Sequence, residues 1–364
     1  MKTSSRTDIT GTSTRAATFV DGAIKPSTIP VLAKRRDSVP AVVSLHAPFY
    51  RHSHGVTTVD AEYVRPGFAS IHVVERAGRA GIIDTGSNHS VPLVLRALSE
   101  LGLSTEAVDW VFLTHVHLDH AGGAGSLIQQ LPRARAIVHP RGATHLIDPS
   151  RLESATIAVY GAEMFERLYG RLIAIPEERV HQTRDGEALM LADSELAVFH
   201  TPGHAMHHQV LFDQQAAALF SGDTFGVAYR ELETEQGAFI VPTTTPTQFD
   251  PEQLLGSIQR IVELGPEAVY LTHFGRVTEI SKLATALGEQ IERFVELARE
   301  YDADKGSDRE QRFRSALRAY IVQRASNHGV EDAGTLVDTV LGADLELNLR
   351  GLIAWLDRKR KATA

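Results

Sequence analysis

Short apolar runs alternate with longer helical patterns along the middle of the chain. Runs of β-branched and other apolar residues predict strands over residues 56–59, 70–75, 81–83, 110–113, 135–139, 189–199, 210–220 and 268–271. Apolar residues at helical spacing predict helices after residue 90, over residues 150–171 and over residues 251–264. This mixed order predicts an α+β fold in which helices sandwich two sheets.

The strand pattern stops near residue 276, and three helical stripes follow it. The stripes start at Ile280, Phe313 and Leu345, and a loop is predicted over residues 302–308. We therefore expect a main, catalytic domain over residues 41–276 and a C-terminal helical region over residues 277–364.

The first 40 residues have a different composition from the rest of the chain. They contain 12 Ser/Thr, seven Lys/Arg and three Asp, with little periodic apolar content. This composition predicts a flexible N-terminal tail over residues 1–40, with an organelle transit peptide as the alternative.

Overall composition is that of an ordinary globular protein. Hydrophobic residues make up 43% of the 364 residues and charged residues 23%. No apolar run approaches the roughly 18–20 residues of a membrane-spanning helix. We therefore expect a soluble, cytoplasmic protein without a membrane partner.

Two further counts restrict the chemistry. The chain has no cysteine, which excludes disulfides, a thiol nucleophile and thiolate metal ligands. Lys+Arg 37 against Asp+Glu 45 gives a net charge of −8, so nucleic acid is not an expected partner. Any metal must therefore be held by nitrogen and oxygen.

One short segment concentrates potential metal ligands. His115, His117, Asp119 and His120 follow a predicted strand directly, and Gly122 and Gly123 follow them. Two side chains two positions apart leave a strand on the same side, and the turn that follows points the next pair toward a neighbouring position. One loop can therefore contribute to two metal positions, although it cannot complete either of them.

Three other predicted strand ends supply the missing ligands. His204 follows the strand that ends at residue 199, Asp223 follows the one that ends at residue 220, and His273 follows the one that ends at residue 271. Strand-end loops are where a rigid sheet presents functional side chains.

The order of these motifs, together with Asp84-Thr85-Gly86, resembles that of metallo-β-lactamase-fold hydrolases across roughly residues 50–276. The resemblance implies an αββα sandwich with two metal positions. The first position would be held by His115, His117 and His204, the second by Asp119, His120 and His273, and Asp223 would bridge them. Asp84 would support the ligand loop from behind.

The resemblance also separates branches of the family. The commonest zinc β-lactamases carry Cys where Asp223 stands, so β-lactam hydrolysis is not expected. The glutathione thioesterase glyoxalase II shares the ligands and has C-terminal helices, but its glutathione-binding motif is not recognisable after Arg276. Transfer-RNA processing nucleases share the ligands and carry a long basic arm that is not found here. Persulfide dioxygenases use the same motif with one iron.

These observations predict a binuclear metal-dependent hydrolase that uses a metal-bridging hydroxide on a small ester or thioester. Two divalent ions are expected, zinc first and iron or manganese as alternatives, and Asp119 would also orient the hydroxide. The ions, two carboxylates and the hydroxide leave the site near +1, which predicts an anionic small-molecule substrate. The alternatives are a phosphodiesterase or nuclease, a mononuclear-iron persulfide dioxygenase, and a noncatalytic metal-binding regulator.

The remaining chemically distinctive residues receive simpler interpretations. His207 and His208 are expected to support the ligands by hydrogen bonds, and His46, His52, His54 and His89 to lie at the surface. Tyr160, Phe165 and Tyr169 are expected in the core in preference to a substrate cap. Thr243-Thr244-Thr245 would form a pocket rim or a turn, and Arg230 and Arg276 are the candidate cations near the ligand loops.

Overall fold

Two mixed β-sheets face each other in the computed structural model, which describes residues 49–244, 248–304 and 306–363. The first sheet contains seven strands in chain order: β1 Phe49–Arg51, β2 Val56–Asp60, β3 Ser70–Arg76, β4 Arg79–Ile83, β5 Val108–Phe112, β6 Arg135–Val138 and β7 Val180–Gln182. The second contains six: β8 Glu187–Leu191, β9 Ser194–His200, β10 Gln209–Asp213, β11 Ala218–Gly222, β12 Ala268–Leu271 and β13 Gly275–Val277. Their spatial order is β13-β12-β11-β10-β9-β8.

Helices cover the outer faces of both sheets. Their bounds are α1 Val91–Glu100, α2 Leu118–Ala121, α3 Ala124–Gln130, α4 Pro140–Ile147, α5 Ser150–Tyr160, α6 Ala162–Tyr169, α7 Pro251–Leu264, α8 Ile280–Ala303, α9 Arg309–Asn327, α10 Ala333–Val340 and α11 Gly342–Thr363. The bounds of α7 are those predicted, because its ends carry strong signals. Asp250 caps the first turn through Gln253 N, and Gly265 ends the helix in the left-handed region.

Large side chains fill the space between the two sheets. Trp110 and Phe112 of β5 meet Phe220 of β11 and Tyr270 of β12 in one buried cluster. Because both inner faces are apolar, burial of these side chains holds the sheets together, at about 1.5–3 kcal/mol for each large side chain. The predicted α+β class, an αββα sandwich followed by C-terminal helices, is confirmed.

The C-terminal helices pack on the outer face of the second sheet. Leu287 and Phe294 of α8 and Leu349 and Leu352 of α11 are fully buried in a cluster that also contains Leu219 of β11. The helices and the sheet therefore share one hydrophobic core. The division at residue 277 remains a prediction.

Several predicted elements differ from the structure. The helix over residues 150–171 is two helices, because Gly161 at φ 81° interrupts it. The strands over residues 189–199 and 210–220 are each two antiparallel strands. Their turns contain Ala192 and Ala217 at positive φ, so the usual Gly or Asn turn signal is missing from the sequence. Helix α10 was not predicted, and β13 crosses the expected end of the strand region.

The predicted tail over residues 1–40 and His46 lie outside the described residues, as does Thr245. Within the described ranges, no helix combines the length and hydrophobicity that a membrane crossing requires.

Candidate metal centre

The ligand loop leaves the first sheet at the end of β5. Backbone amides of the short helix α2 bond back to His117 O, so the segment from His115 to His120 curls into a single turn. His115 and His120 are fully buried, whereas the Asp119 side chain keeps about a quarter of its surface exposed. Asp119 therefore lies on the open side of the turn.

The structure brings all seven predicted ligands together in three overlapping groups. Within each group the potential ligand atoms lie within 4.8 Å of one another: His115 with His117 and His204, His115 with His120 and Asp223, and Asp119 with His120 and His273. The first and third groups match the two predicted metal positions. Asp223 falls in the group between them, where a bridging ligand belongs.

The donor atoms fit metal ions. His115 Nε2 lies 2.8 Å from His117 Nδ1, which lies 3.2 Å from His204 Nε2. Nitrogens bound tetrahedrally to zinc at about 2.0–2.1 Å are about 3.3 Å apart. His120 Nε2 and Asp223 Oδ1 are 3.3 Å apart and buried, and neither has a hydrogen-bond partner. Bound ions would satisfy both atoms.

Burial keeps the first group of histidines neutral. It lowers the pKa of His117 to about 3, assisted by His204, and that of His204 to about 4. The pKa of His115 is also held well below its usual value by burial and by His120. Neutral imidazole is the form that binds a metal, so this side of the centre is prepared for an ion at neutral pH.

Charge pairing dominates on the other side. Burial alone raises the pKa of Asp119 and Asp223, but the adjacent His120 and His273 outweigh it and lower both values. Burial conversely lowers the pKa of His273, and the Asp223 and Asp119 carboxylates reverse the effect. Both carboxylates are therefore ionised, as metal ligands must be.

Asp84 connects the ligand loop to the second sheet. Its carboxylate accepts bonds from Thr114 N at 2.8 Å and Thr272 Oγ1 at 2.9 Å, and it lies 2.9 Å from His120 Nδ1. These contacts fix the His120 ring and leave its Nε2 directed into the centre.

Other polar groups hold the remaining imidazoles. Thr243 Oγ1 lies 2.7 Å from His204 Nδ1, and Phe68 O lies 2.8 Å from His273 Nδ1. His208 Nε2 accepts a bond from Asp223 N at 3.2 Å, in the supporting position expected of this histidine. Thr243 had been a candidate rim residue, and Phe68 acts through its carbonyl, which no sequence pattern reveals.

Three tyrosines lie beside Asp119. The Tyr63 and Tyr169 rings stack at 5.8 Å, and Tyr160 meets Tyr169 edge-on at 6.3 Å. Burial raises the pKa of all three phenols, and the Asp119 charge raises them further. The expected burial is confirmed for Tyr169 and Phe165, whereas Tyr160 is half-buried.

Helix α11 reaches the centre from the far end of the sequence. Asn348 is buried and accepts a bond from Thr244 N at 2.7 Å, next to the Thr243 that contacts His204. One turn earlier, Asp344 accepts a bond from Tyr229 at 3.2 Å. The Tyr229 ring lies 6.5 Å from the His273 ring. Neither helix residue was predicted.

Of the two candidate cations, Arg230 is engaged by aromatic rings, whereas Arg276 is exposed on β13. The Arg230 guanidinium lies 4.0 Å from the Tyr50 ring and 4.7 Å from the Phe274 ring. Arg65, which was not predicted, lies 5.0 Å from the Tyr229 ring and forms an ion pair with Glu231. The charged groups closest to the donor atoms are therefore mainly the carboxylates and imidazoles of the centre itself.

Comparison with known proteins matches the region that holds the centre. The family model of the metallo-beta-lactamase superfamily matches residues 64–273, which include every predicted ligand. The metallo-beta-lactamase fold-containing protein ST1585 of Sulfurisphaera tokodaii is 27% identical over 233 residues, 63% of this chain and 80% of that protein. The hydroxyacylglutathione hydrolase of Salmonella paratyphi A is 30% identical over 151 residues, 40% of this chain and 43% of that enzyme.

Solved structures support the fold. The crystal structure of ST1585 aligns with a TM-score of 0.57 at 23% identity and covers 83% of this chain and 99% of that one. TTHA1429 of Thermus thermophilus aligns with a TM-score of 0.54 at 21% identity and covers 80% and 89%. At this level of identity the likeness shows the shared fold.

Proposed function

This chain belongs to the metallo-beta-lactamase superfamily, and we propose that it is a binuclear metal-dependent hydrolase of a small ester or thioester. The observation that carries the proposal is the overlap of three ligand groups around one buried point, with Asp223 in the middle group. Seven nitrogen and oxygen ligands exceed what one tetrahedral ion needs. Zinc suits this ligand set, as do iron and manganese.

Two divalent ions held there would supply Lewis acidity and a hydroxide nucleophile near neutral pH. The chain's own residues add orientation to this chemistry. Asp119 is the most exposed carboxylate of the centre and is ionised, so it can accept a hydrogen bond from the attacking oxygen and hold that oxygen in line. No nucleophilic side chain is needed.

The surroundings favour acyl substrates over phosphodiesters. Phosphoryl transfer gains from cationic groups that stabilise the nonbridging oxygens, but Arg230 and Arg65 are occupied by rings and by Glu231. Tyr63, Tyr160 and Tyr169 instead offer an aromatic wall beside Asp119. Similarity to a hydroxyacylglutathione hydrolase supports the thioester branch of this proposal.

The test combines elemental analysis of the purified protein with kinetics on one metal-loaded preparation. Thioesters and esters should be hydrolysed with higher kcat/KM than bis(p-nitrophenyl) phosphate, at about two metals per chain. A higher kcat/KM for the phosphodiester than for the thioesters and esters would instead indicate a phosphodiesterase. One iron per chain with oxygen uptake would indicate a dioxygenase instead, and a metal-loaded protein without any turnover would indicate a regulator.

A further inference from the structure

Within the described ranges, five buried side-chain polar atoms have no hydrogen-bond partner: Arg65 Nη2, His120 Nε2, Asp223 Oδ1, Gln290 Oε1 and Asp344 Oδ2. Bound metal ions would account for the two atoms of the centre, His120 Nε2 and Asp223 Oδ1. The Tyr229 ring covers the Arg65 guanidinium at 5.0 Å, and Gln290 lies on α8, where its amide nitrogen donates to Ile240 O and its oxygen stays without a partner. Asp344 Oδ2 is the one carboxylate oxygen among these five atoms that neither metal position explains.

Asp344 lies beside the centre and is held there by a hydrogen bond from Tyr229. It lies in the first turn of α11, and its other oxygen, Oδ1, accepts the Tyr229 hydroxyl at 3.2 Å. Tyr229 is buried between the Phe68 ring at 5.3 Å and the His273 ring at 6.5 Å. The carboxylate therefore adjoins the half of the centre that contains His273.

A shielded carboxylate oxygen without a partner is costly unless something else binds it. Asp344 also changes the charge of the site. Like Asp84 beside His120, it adds a negative charge that the count of ligands and hydroxide leaves out. The position next to Asp344 Oδ2 therefore favours a hydrogen-bond donor over an anionic group.

On the basis of the proposed function, we propose that Asp344 Oδ2 binds a hydrogen-bond donor, an O–H or N–H group, carried by the ester or thioester substrate. Tyr229 holds the carboxylate in position for this contact. The C-terminal helix α11 thereby contributes to substrate choice, in addition to covering the second sheet.

Two pairs of thioesters test the proposal on the metal-loaded, full-length protein. The first pair places the donor on the acyl chain, as 3-hydroxybutanoyl against 3-methoxybutanoyl. The second pair places it on the leaving thiol, as 3-hydroxypropanethiol against 3-methoxypropanethiol. The methoxy partner removes the donor and adds one methyl group, and the near-isosteric Asp344→Asn variant separates these two effects, because a purely steric preference would persist in it. We expect the wild type to prefer the hydroxy compound of one pair by about tenfold in kcat/KM, a difference of about 1.4 kcal/mol.

The variants assign this preference to Asp344. In Asp344→Ala, which removes the acceptor, the ratio of kcat/KM for the hydroxy compound to that for the methoxy compound should fall to about one. In Asp344→Asn, which keeps a neutral acceptor, this ratio should fall to about three. The asparagine variant also serves if the alanine variant does not fold. Glu346→Gln is the matched control, because it removes a charge from the same helix at a residue that pairs with Arg314 and Arg350. Its ratio should equal that of the wild type.

Binding measurements separate this proposal from the proposed function. Ketone analogues with methylene in place of sulfur cannot be hydrolysed, and their affinities are measured by titration calorimetry. A hydroxy preference that is lost in Asp344→Ala supports recognition, even if no thioester is turned over and the proposed function fails. Equal affinity for hydroxy and methoxy analogues in both pairs, or a preference unchanged in Asp344→Ala, overturns the proposal.

Discussion

The metal centre is assembled from two regions that differ in how they contribute to it. The strand-end loops supply all seven predicted ligands, and four of these lie within six consecutive residues. Helix α11 supplies no ligand, but Asp344 and Asn348 contact the groups around the ligands on both sides. The loops determine which ions can bind, whereas the helix acts on their surroundings.

The ligands and the residues that support them differ in how the sequence marks them: each ligand lies shortly after a strand end, whereas Asp344 and Asn348 lie within the long helix α11. Asn348 contacts Thr244 across 104 residues, and Asp344 contacts Tyr229 across 115 residues. The ligand loop closes on itself within one turn. Variants of the loop residues should therefore change metal binding directly. Variants of α11 should change how the ligands are oriented or which substrate is preferred.

Removal of α11 by truncation after Leu341 should have the largest effect. Leu349, Leu352 and Trp355 are buried in the core that the C-terminal helices share with the second sheet, so their loss would expose a large apolar face. We expect aggregation or loss of cooperative thermal unfolding. A soluble, fully active truncated protein would show that α11 is an independent module that supports neither the fold nor the metal centre.

Asp223→Ala should disturb both metal positions. The carboxylate lies between the two ligand groups, so its removal should lower metal content and reduce kcat/KM by more than the roughly 10–100-fold typical of residues that only support ligands. Elemental analysis and kinetics on one preparation measure both quantities. Wild-type turnover in this variant would remove Asp223 from the centre.

Asn348→Ala should weaken metal binding from the other region. Without this side chain, Thr244 N and Pro242 O lose buried partners, and Thr243 is no longer fixed against His204. We expect the metal dissociation constant, measured by competition with a chelator, to rise by about 10-fold or more.

Leu347→Ala is the control for that experiment, because Leu347 is the exposed neighbour on the same helix. Its metal affinity should be unchanged. If Asn348→Ala lowers the melting temperature but leaves metal affinity unchanged, α11 acts on stability alone.

The difference between the strand-end loops and α11 also explains which residues of the centre the sequence could predict. The candidate ligands were predictable because metal coordination requires particular residue types, and these types recur shortly after predicted strands, four of them within six positions. Apolar periodicity likewise predicted the helices that begin near Ile280 and Phe313. Asn348 and Asp344 are single polar residues in a helix, and only the tertiary fold determines what they meet. Phe68 contributes a carbonyl, which every residue has.

The smallest expected effect comes from Asp344→Asn, measured as stability against pH. Burial raises the pKa of Asp344 from 3.8 to about 6. A carboxyl with a raised folded-state pKa contributes stability below its unfolded value, and that stability is lost as pH rises from about 4 through 6. The neutral asparagine should therefore stabilise the metal-free protein at pH 7.5 by about 1 kcal/mol, or about 2 °C in Tm, and not at pH 4.

Asp338→Asn provides a control of opposite sign. Its ion pair with Arg318 lowers the pKa of Asp338, so this carboxylate contributes stability above its unfolded pKa, and the variant should be slightly less stable at pH 7.5. A gain for Asp344→Asn together with a weaker hydroxy preference would mean that α11 retains a destabilising charge for recognition. A loss of stability at pH 7.5 would instead mean that the Asp344–Tyr229 hydrogen bond stabilises the fold more than the buried charge destabilises it. The role of Asp344 in α11 would then be structural.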